Sequence, residues 1–123
     1  MKPALAPLVI FGLALSGAAQ AQEQAGAAVF KACRSCHSLD PAKAGMAGPH
    51  LAKLGGRVFG SAKGFDYSPA FKAIRAQGLT WDRERLLSYL GDPDAVVPGG
   101  WMSPPAGLSA ADRAAVTDYL LSR

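Results

Sequence analysis

Cys33-Arg34-Ser35-Cys36-His37 decides the reading of this chain, because it sets two thiols three positions apart and an imidazole directly after the second. These are the only cysteines in the 123 residues, and His50 is the only other histidine. A zinc ribbon needs four soft or imidazole ligands, usually as two pairs, and no second cysteine pair is present. A thioredoxin-like redox pair expects a βαβ context, and a structural disulfide rarely closes so small a loop. Covalent haem attachment uses this spacing: both cysteines reach the vinyl groups of one porphyrin and the histidine lies over the iron. The expected cofactor is one haem c held through Cys33 and Cys36, with His37 as an iron ligand.

The N-terminus supports attachment independently. Lys2 supplies a positive start, Ala4 to Leu15 is almost wholly apolar, and Ala19-Gln20-Ala21 is a small-x-small cleavage signal. Together they read as a secretory signal peptide over residues 1–21. An uncleaved membrane anchor is the alternative, but the run is short for a span and Pro7 interrupts it. Cleavage after Ala21 removes 21 of 123 residues and leaves 102, residues 22–123, as one domain starting at Gln22. Such a chain is small for a self-sufficient core, and a buried haem would supply apolar surface. Bacterial haem attachment takes place outside the inner membrane, so the expected address is the periplasm.

Charge excludes one class of partner. Formal net charge is +4 from 13 basic and nine acidic residues, and loss of Lys2 reduces it to +3. Two ionised propionates would bring the holoprotein near +1, and nucleic-acid binding calls for a much denser basic patch. The expected partners are membrane-bound or periplasmic redox proteins, one donor and one acceptor. The mature chain is expected to be a monomer without stable membrane insertion.

Between the termini the pattern is helical where it is regular at all. Glu23 to Ala32 is alanine-rich and leads into the cysteine motif, with Gly26 and Phe30 one turn apart; Gly26 marks either a close helix contact or a weak spot. Ser38 to Tyr67 is rich in glycine, carries Pro41 and Pro49, and has no sustained period. Loops this long are unusual in compact domains unless they wrap something, and a haem edge is a suitable object. Ser68-Pro69 predicts a capped helix over Ala70 to Gln77, and Thr80 a helix over Trp81 to Leu90 stopped by Gly91 and Pro93. Ser109 and Asp112 form a capping-box pattern opening the last helix, whose buried face is Val116, Tyr119 and Leu120. Nothing alternates as a strand does, so the expected class is all-α.

A second iron ligand must come from chain that reaches the face opposite His37. Met46 and His50 are close behind His37 and more easily stay on its side. Met102 lies in Pro98-Gly99-Gly100-Trp101-Met102-Ser103-Pro104-Pro105, too rich in proline and glycine for helix and poorly suited to be core filling. It is the preferred ligand, and a His/Met pair raises the reduction potential relative to two histidines. Ligated histidines usually donate their other ring proton to a carbonyl; Pro49 either presents one or sits in an ordinary turn.

These residues resemble class I c-type cytochromes, most closely the mitochondrial type and its bacterial periplasmic relatives. The likeness covers nearly all of residues 22–123: the attachment motif, Gly48-Pro49-x-Leu51, Gly56-Arg57, Gly64-Phe65-x-Tyr67, Gly78-Leu79-Thr80-Trp81, Tyr89-Leu90-x-x-Pro93, Pro98-Gly99-x-x-Met102 and Val116-x-x-Tyr119-Leu120. It implies a fold of four to five short helices with long loops wrapped around one covalent haem. It implies that the Pro49 carbonyl orients His37, that Arg57, Tyr67 and Trp81 lie near a propionate, and that Tyr89 hydrogen-bonds near the Met102 sulfur. Without the resemblance Trp81 and Tyr89 read as plain core aromatics. It also implies that the last helix crosses the first near Gly26 and Phe30, and that a basic rim, here Lys31, Arg34, Lys43 and Lys53, docks acidic partners. Three positions depart: Gly100 replaces a threonine, Phe71 an asparagine and Trp101 a rim lysine.

The function that follows is one-electron transport between redox complexes, without catalytic residues and so not an enzyme. A haem subunit of a periplasmic dehydrogenase or oxidase is the alternative. An enzyme or gas sensor would need an open sixth position, which ligation by Met102 opposes.

Overall fold

The computed structural model describes residues 1–4 and 13–123, so most of the apolar leader stretch lies outside the described residues. Five helices follow in chain order: α1 Leu13–Phe30, α2 Pro69–Arg75, α3 Arg83–Gly91, α4 Pro93–Val96 and α5 Ala110–Leu121. Among the described residues the only β-type pairing is one isolated bridge between Val58 and Thr80. No helix among them is long and apolar enough to cross a membrane. The all-α expectation holds.

Helix α1 begins ten residues before the expected Glu23 and ends two before Ala32. Alanine, glutamine and leucine all favour helix, so the sequence upstream of Glu23 continues the same conformation. Packing begins later than the helix does. Residues 16–25 are all exposed, and Gly26 is the first buried position among the described residues. There α1 crosses α5 so closely that a Cβ on Gly26 would lie 2.5 Å from the Ala115 carbonyl oxygen and against the Tyr119 side chain. The Phe30 and Tyr119 rings meet one turn on, 5.6 Å between centroids. Gly26 is therefore the contact point, and the weak-spot reading falls.

Local chemistry sets most helix ends. The Ser68 hydroxyl accepts from Phe71 N–H ahead of Pro69 at the first turn of α2, and Ser109 and Asp112 form the full capping box of α5. Two expectations need correction. The cap of α3 is Asp82, whose carboxylate accepts from Arg85 N–H, and not Thr80. Thr80 instead pairs with Val58, and Trp81 N–H donates to the Arg57 carbonyl at 2.9 Å, which holds residues 80 and 81 extended and turns the indole into the core. Helix α3 ends at Gly91 as expected, but Pro93 also opens a further helix that the sequence did not announce, α4, with Asp92 closing α3 and capping α4 at once.

The core is aromatic. Phe59, fully buried, stacks on Trp81 at 3.7 Å between centroids, and Tyr89 meets Trp81 edge-on at 5.2 Å. An edge-to-face pair of the Trp81–Tyr89 kind adds about 0.5–1.5 kcal/mol beyond area burial. Phe30, Val97, Val116 and Leu120 complete the packing between α1, α3 and α5.

Candidate haem site

A cavity of about 440 Å³ opens between the cysteine motif, the long loop after it, the inner faces of α3 and α5 and the loop that carries Met102. That is within the usual range for a bound cofactor, about 300–1,000 Å³.

One wall is the turn after α1. His37 N–H donates to the Cys33 carbonyl at 2.9 Å, a single helical turn that sets both cysteines and the imidazole along the cavity. The chain then doubles back: Gly48 N–H donates to the Cys36 carbonyl and Leu51 N–H to the Ser38 carbonyl, both at 2.8 Å. Gly48 lies flat on the imidazole, where a Cβ would sit 2.5 Å from His37 Cε1. Next to it, His37 Nδ1 donates to the Pro49 carbonyl at 2.7 Å. Of the two readings of Pro49, the structure takes the carbonyl. With Nδ1 committed as a donor, Nε2 keeps its lone pair. Burial holds the His37 pKa below the ordinary value; the Pro49 bond works against this, and the Arg57 charge adds to it. Burial pushes the Cys33 thiol up, and Cys36 pushes it further.

On another wall is Met102, half-buried and packed against the hydrophobic core. The other two ligand candidates are elsewhere. Met46 and His50 line a smaller cavity of about 260 Å³ between the 43–50 and 63–66 loops, and neither is among the residues lining the larger one.

Donors gather at a third place. Arg57 is strapped down by its two terminal nitrogens: one donates to the His50 carbonyl at 2.8 Å, the other to the Ala52 carbonyl at 3.1 Å and faces His50 Nδ1 at 3.3 Å. Its Nε is buried with no partner among the described residues. The Tyr67 hydroxyl accepts from Ala62 N–H at 3.0 Å, which leaves its own proton free to donate. Trp81 also lines this cavity. An orphaned buried guanidinium N–H calls for an anion, since leaving it unmet costs about 1–3 kcal/mol or more. A haem propionate is such an anion, so the donor set fits the group.

Tyr89 is 4% exposed, and burial lifts its hydroxyl to about 12, so it stays neutral and able to donate. Phe71 stands between the Tyr67 and Tyr89 rings, 5.5 and 5.9 Å from them, and lines the cavity with carbon where the resemblance has an amide. Sequence reasoning did not single out Leu54, Leu86 or Leu90 as lining residues. The Leu86, Tyr89 and Leu90 spacing of three and four was the available signal. The strap that His50 provides for Arg57 had no such signal.

This arrangement is that of a covalently haem-bearing, all-helical electron carrier. The family model described as Cytochrome c matches residues 23–123, and the chain belongs to that family, with one covalently attached haem c. It is 36% identical to cytochrome c-554 of Methylosinus trichosporium over 117 residues, 94% of this chain and 86% of that protein. It is 44% identical to cytochrome c2 iso-2 of Magnetospirillum fulvum over 94 residues, 76% of this chain and 93% of that protein. Its fold is similar to ferricytochrome c2 from Rhodopseudomonas palustris, with a TM-score of 0.71 and 33% identity over 81% of this chain and 96% of that one. The chain is a single-haem electron-transfer protein of the bacterial class I type.

Proposed function

We propose that the protein is a periplasmic shuttle, released as residues 22–123 by cleavage after Ala21, in which His37 and Met102 would ligate the haem iron. The observation that carries this reading is the single cavity shared by Cys33, Cys36, His37 and Met102, with Met46 and His50 outside it. Bound haem supplies a ferric/ferrous couple that changes by one electron. The chain's own residues do the rest. The Pro49 carbonyl fixes the tautomer and direction of His37. Arg57 would neutralise propionate charge and Tyr67 would donate a hydrogen bond to it, and the wall of Phe71, Trp81 and Tyr89, with Phe59 stacked behind Trp81, would keep water from the porphyrin. A dry, rigid surround means that little rearranges when the charge on the iron changes. The subunit reading is not favoured, because relatives matched over most of their length are small cytochromes.

Visible spectra of the oxidised and reduced protein test the ligands. Met102→Ala should abolish the weak far-red band of the ferric form and lower the potential by on the order of a few hundred millivolts, within the ~0.8 V that axial ligands span. Met46→Ala should do neither. The opposite pattern overturns the assignment.

A further inference from the structure

Arg57 is held by a residue that can change its charge. Three acceptors fasten the guanidinium: the Ala52 carbonyl at 3.1 Å and His50 Nδ1 at 3.3 Å take Nη1, and the His50 carbonyl takes Nη2 at 2.8 Å. The same imidazole nitrogen faces the Ala52 N–H, which donates to it at 3.3 Å. A guanidinium has donors only, and a backbone N–H is a donor too, so both demand a lone pair at Nδ1. The neutral ring therefore carries its proton on Nε2. A proton on Nδ1 would point at two other donors, and the arrangement fails.

The charges around the ring set how easily that proton arrives. Burial lowers the His50 pKa below its ordinary value, the Arg57 charge lowers it further, and Asp40 opposes both. Lys43, Lys63 and Asp66 share the smaller cavity with His50, and Asp66 is paired with Lys72 at 2.8 Å. The ring is thus neutral at pH 7 and gains its proton in acid solution. When it does, the imidazolium has to turn away from Nη1, and Arg57 loses one of its three acceptors. Arg57 also lines the haem cavity, with its Nε buried and unmet among the described residues.

We propose that His50 is a positioning residue for Arg57 and, through it, the group that links the reduction potential to pH. The neutral ring holds the guanidinium toward the propionate; the protonated ring lets go and adds a positive charge to the same corner. Release alone lowers the potential, and the new charge raises it. Two carbonyls still hold the guanidinium, so a whole added charge outweighs the lost acceptor, and the potential rises as pH falls. Linkage is reciprocal, so reduction tightens proton binding at His50 by the same factor.

Because the coupling rests on Arg57 serving a haem propionate, the experiment separates the two. The haem-bearing protein is titrated between about pH 5 and 8, with His50 followed by NMR in the ferrous and ferric forms and the potential measured over the same range. His50 should titrate below the ordinary ~6.5, with a proton affinity about threefold higher in the ferrous form, and the potential should rise on acidification by the same factor, ~28 mV at ~59 mV per tenfold for one electron. His50→Asn keeps an acceptor oxygen near the Nδ1 position and cannot titrate there. It should abolish the step and leave the potential at pH ~8 as in wild type, whereas His50→Ala should abolish the step and lower that potential. A step that persists in His50→Asn belongs to another group, a propionate among them, and overturns the coupling. Equal potentials at pH ~8 in wild type and His50→Ala overturn the positioning role. Arg57→Gln shows which premise failed. If it lowers the potential while neither His50 variant alters the profile, the propionate reading stands and the role of His50 falls; if it too leaves the potential unchanged, both fall.

Discussion

The two sides of the cavity are held in different ways. On the His37 side, residues 33–51 are cross-linked by backbone bonds from His37 to Cys33, Gly48 to Cys36 and Leu51 to Ser38, and a glycine is pressed against the ring. On the Met102 side, the loop between α4 and α5 is anchored at its ends, by Gly99 N–H to the Asp94 carboxylate at 3.2 Å and by Arg113 to the Leu108 carbonyl at 2.9 Å. Between them, among the described residues, the backbone bond is a single turn, Gly100 N–H to the Val97 carbonyl at 3.1 Å. The lesson is that one proposed ligand is fixed by the chain around it, whereas the other is carried on a loop stiffened mainly by its prolines. Ligand loss should begin at the methionine.

The harshest way to break this contrast is to remove the His37 side's covalent hold. Cys33→Ala with Cys36→Ala should leave haem extractable by acid acetone and the chain largely unfolded, because so small a core is insufficient without its cofactor. A compact helical apoprotein, seen by circular dichroism, would sink the idea. A glycine pair sharpens the comparison. Gly48→Ala drives a methyl into His37 and should cost about 1–3 kcal/mol, as overpacking does. Gly100→Ala, where the new Cβ meets the Val97 carbonyl at 3.3 Å, should cost under about 1 kcal/mol. Denaturation midpoints measure both, and equal losses would erase the difference between the two sides.

The next effect lies between them. The Tyr89 pKa, raised by burial to about 12, exceeds the ~10 of an unfolded chain, so the fold favours the neutral hydroxyl. That stabilisation is complete below pH ~10 and is lost as pH rises through about 12. Tyr89→Phe should flatten the stability profile across that window, and a profile as steep as wild type would assign the transition elsewhere. The smallest effect belongs to the rim. Trp101 is 68% exposed at the mouth of the cavity, and Lys31, Arg34, Lys43 and Lys53 are exposed as well. Electron transfer to an acidic partner should slow moderately with salt, since charges more than ~8 Å apart are largely screened at physiological ionic strength. Trp101→Ala should slow it further at every salt concentration. Stopped-flow rates indifferent to both would remove the docking role.

What the sequence disclosed was chemistry tied to short spacing. The cysteine motif, the Ser109–Asp112 box, the Ser68 cap and the Gly26 crossing each depend on a few neighbouring residues, and each is present. What it hid was decided by partners far away in the chain. Thr80 is a good cap by composition, yet Val58 draws it into a bridge and Asp82 takes over. Pro93 is as well suited to begin a helix as to end one, and only the Asp92 backbone turn decides. Phe59, at the centre of the aromatic stack, sits in a glycine-rich loop without period, so no pattern marked it. The cavity was legible at the cysteine motif and Met102 and obscure at its supports: His50, outside that cavity, instead steadies Arg57.

The crossing of α1 and α5 has a consequence in time. It joins Gly26 to Tyr119, so on the proposed export of residues 22–123 nearly the whole chain forms one closed loop. A chain leaving a membrane pore N-terminus first makes such a contact last, and contacts of long sequence separation are slow to form. Cys33 and Cys36 emerge early, long before α5 arrives to close the core over them. The order of emergence thus leaves an interval in which the two thiols are accessible, and the final helix ends it.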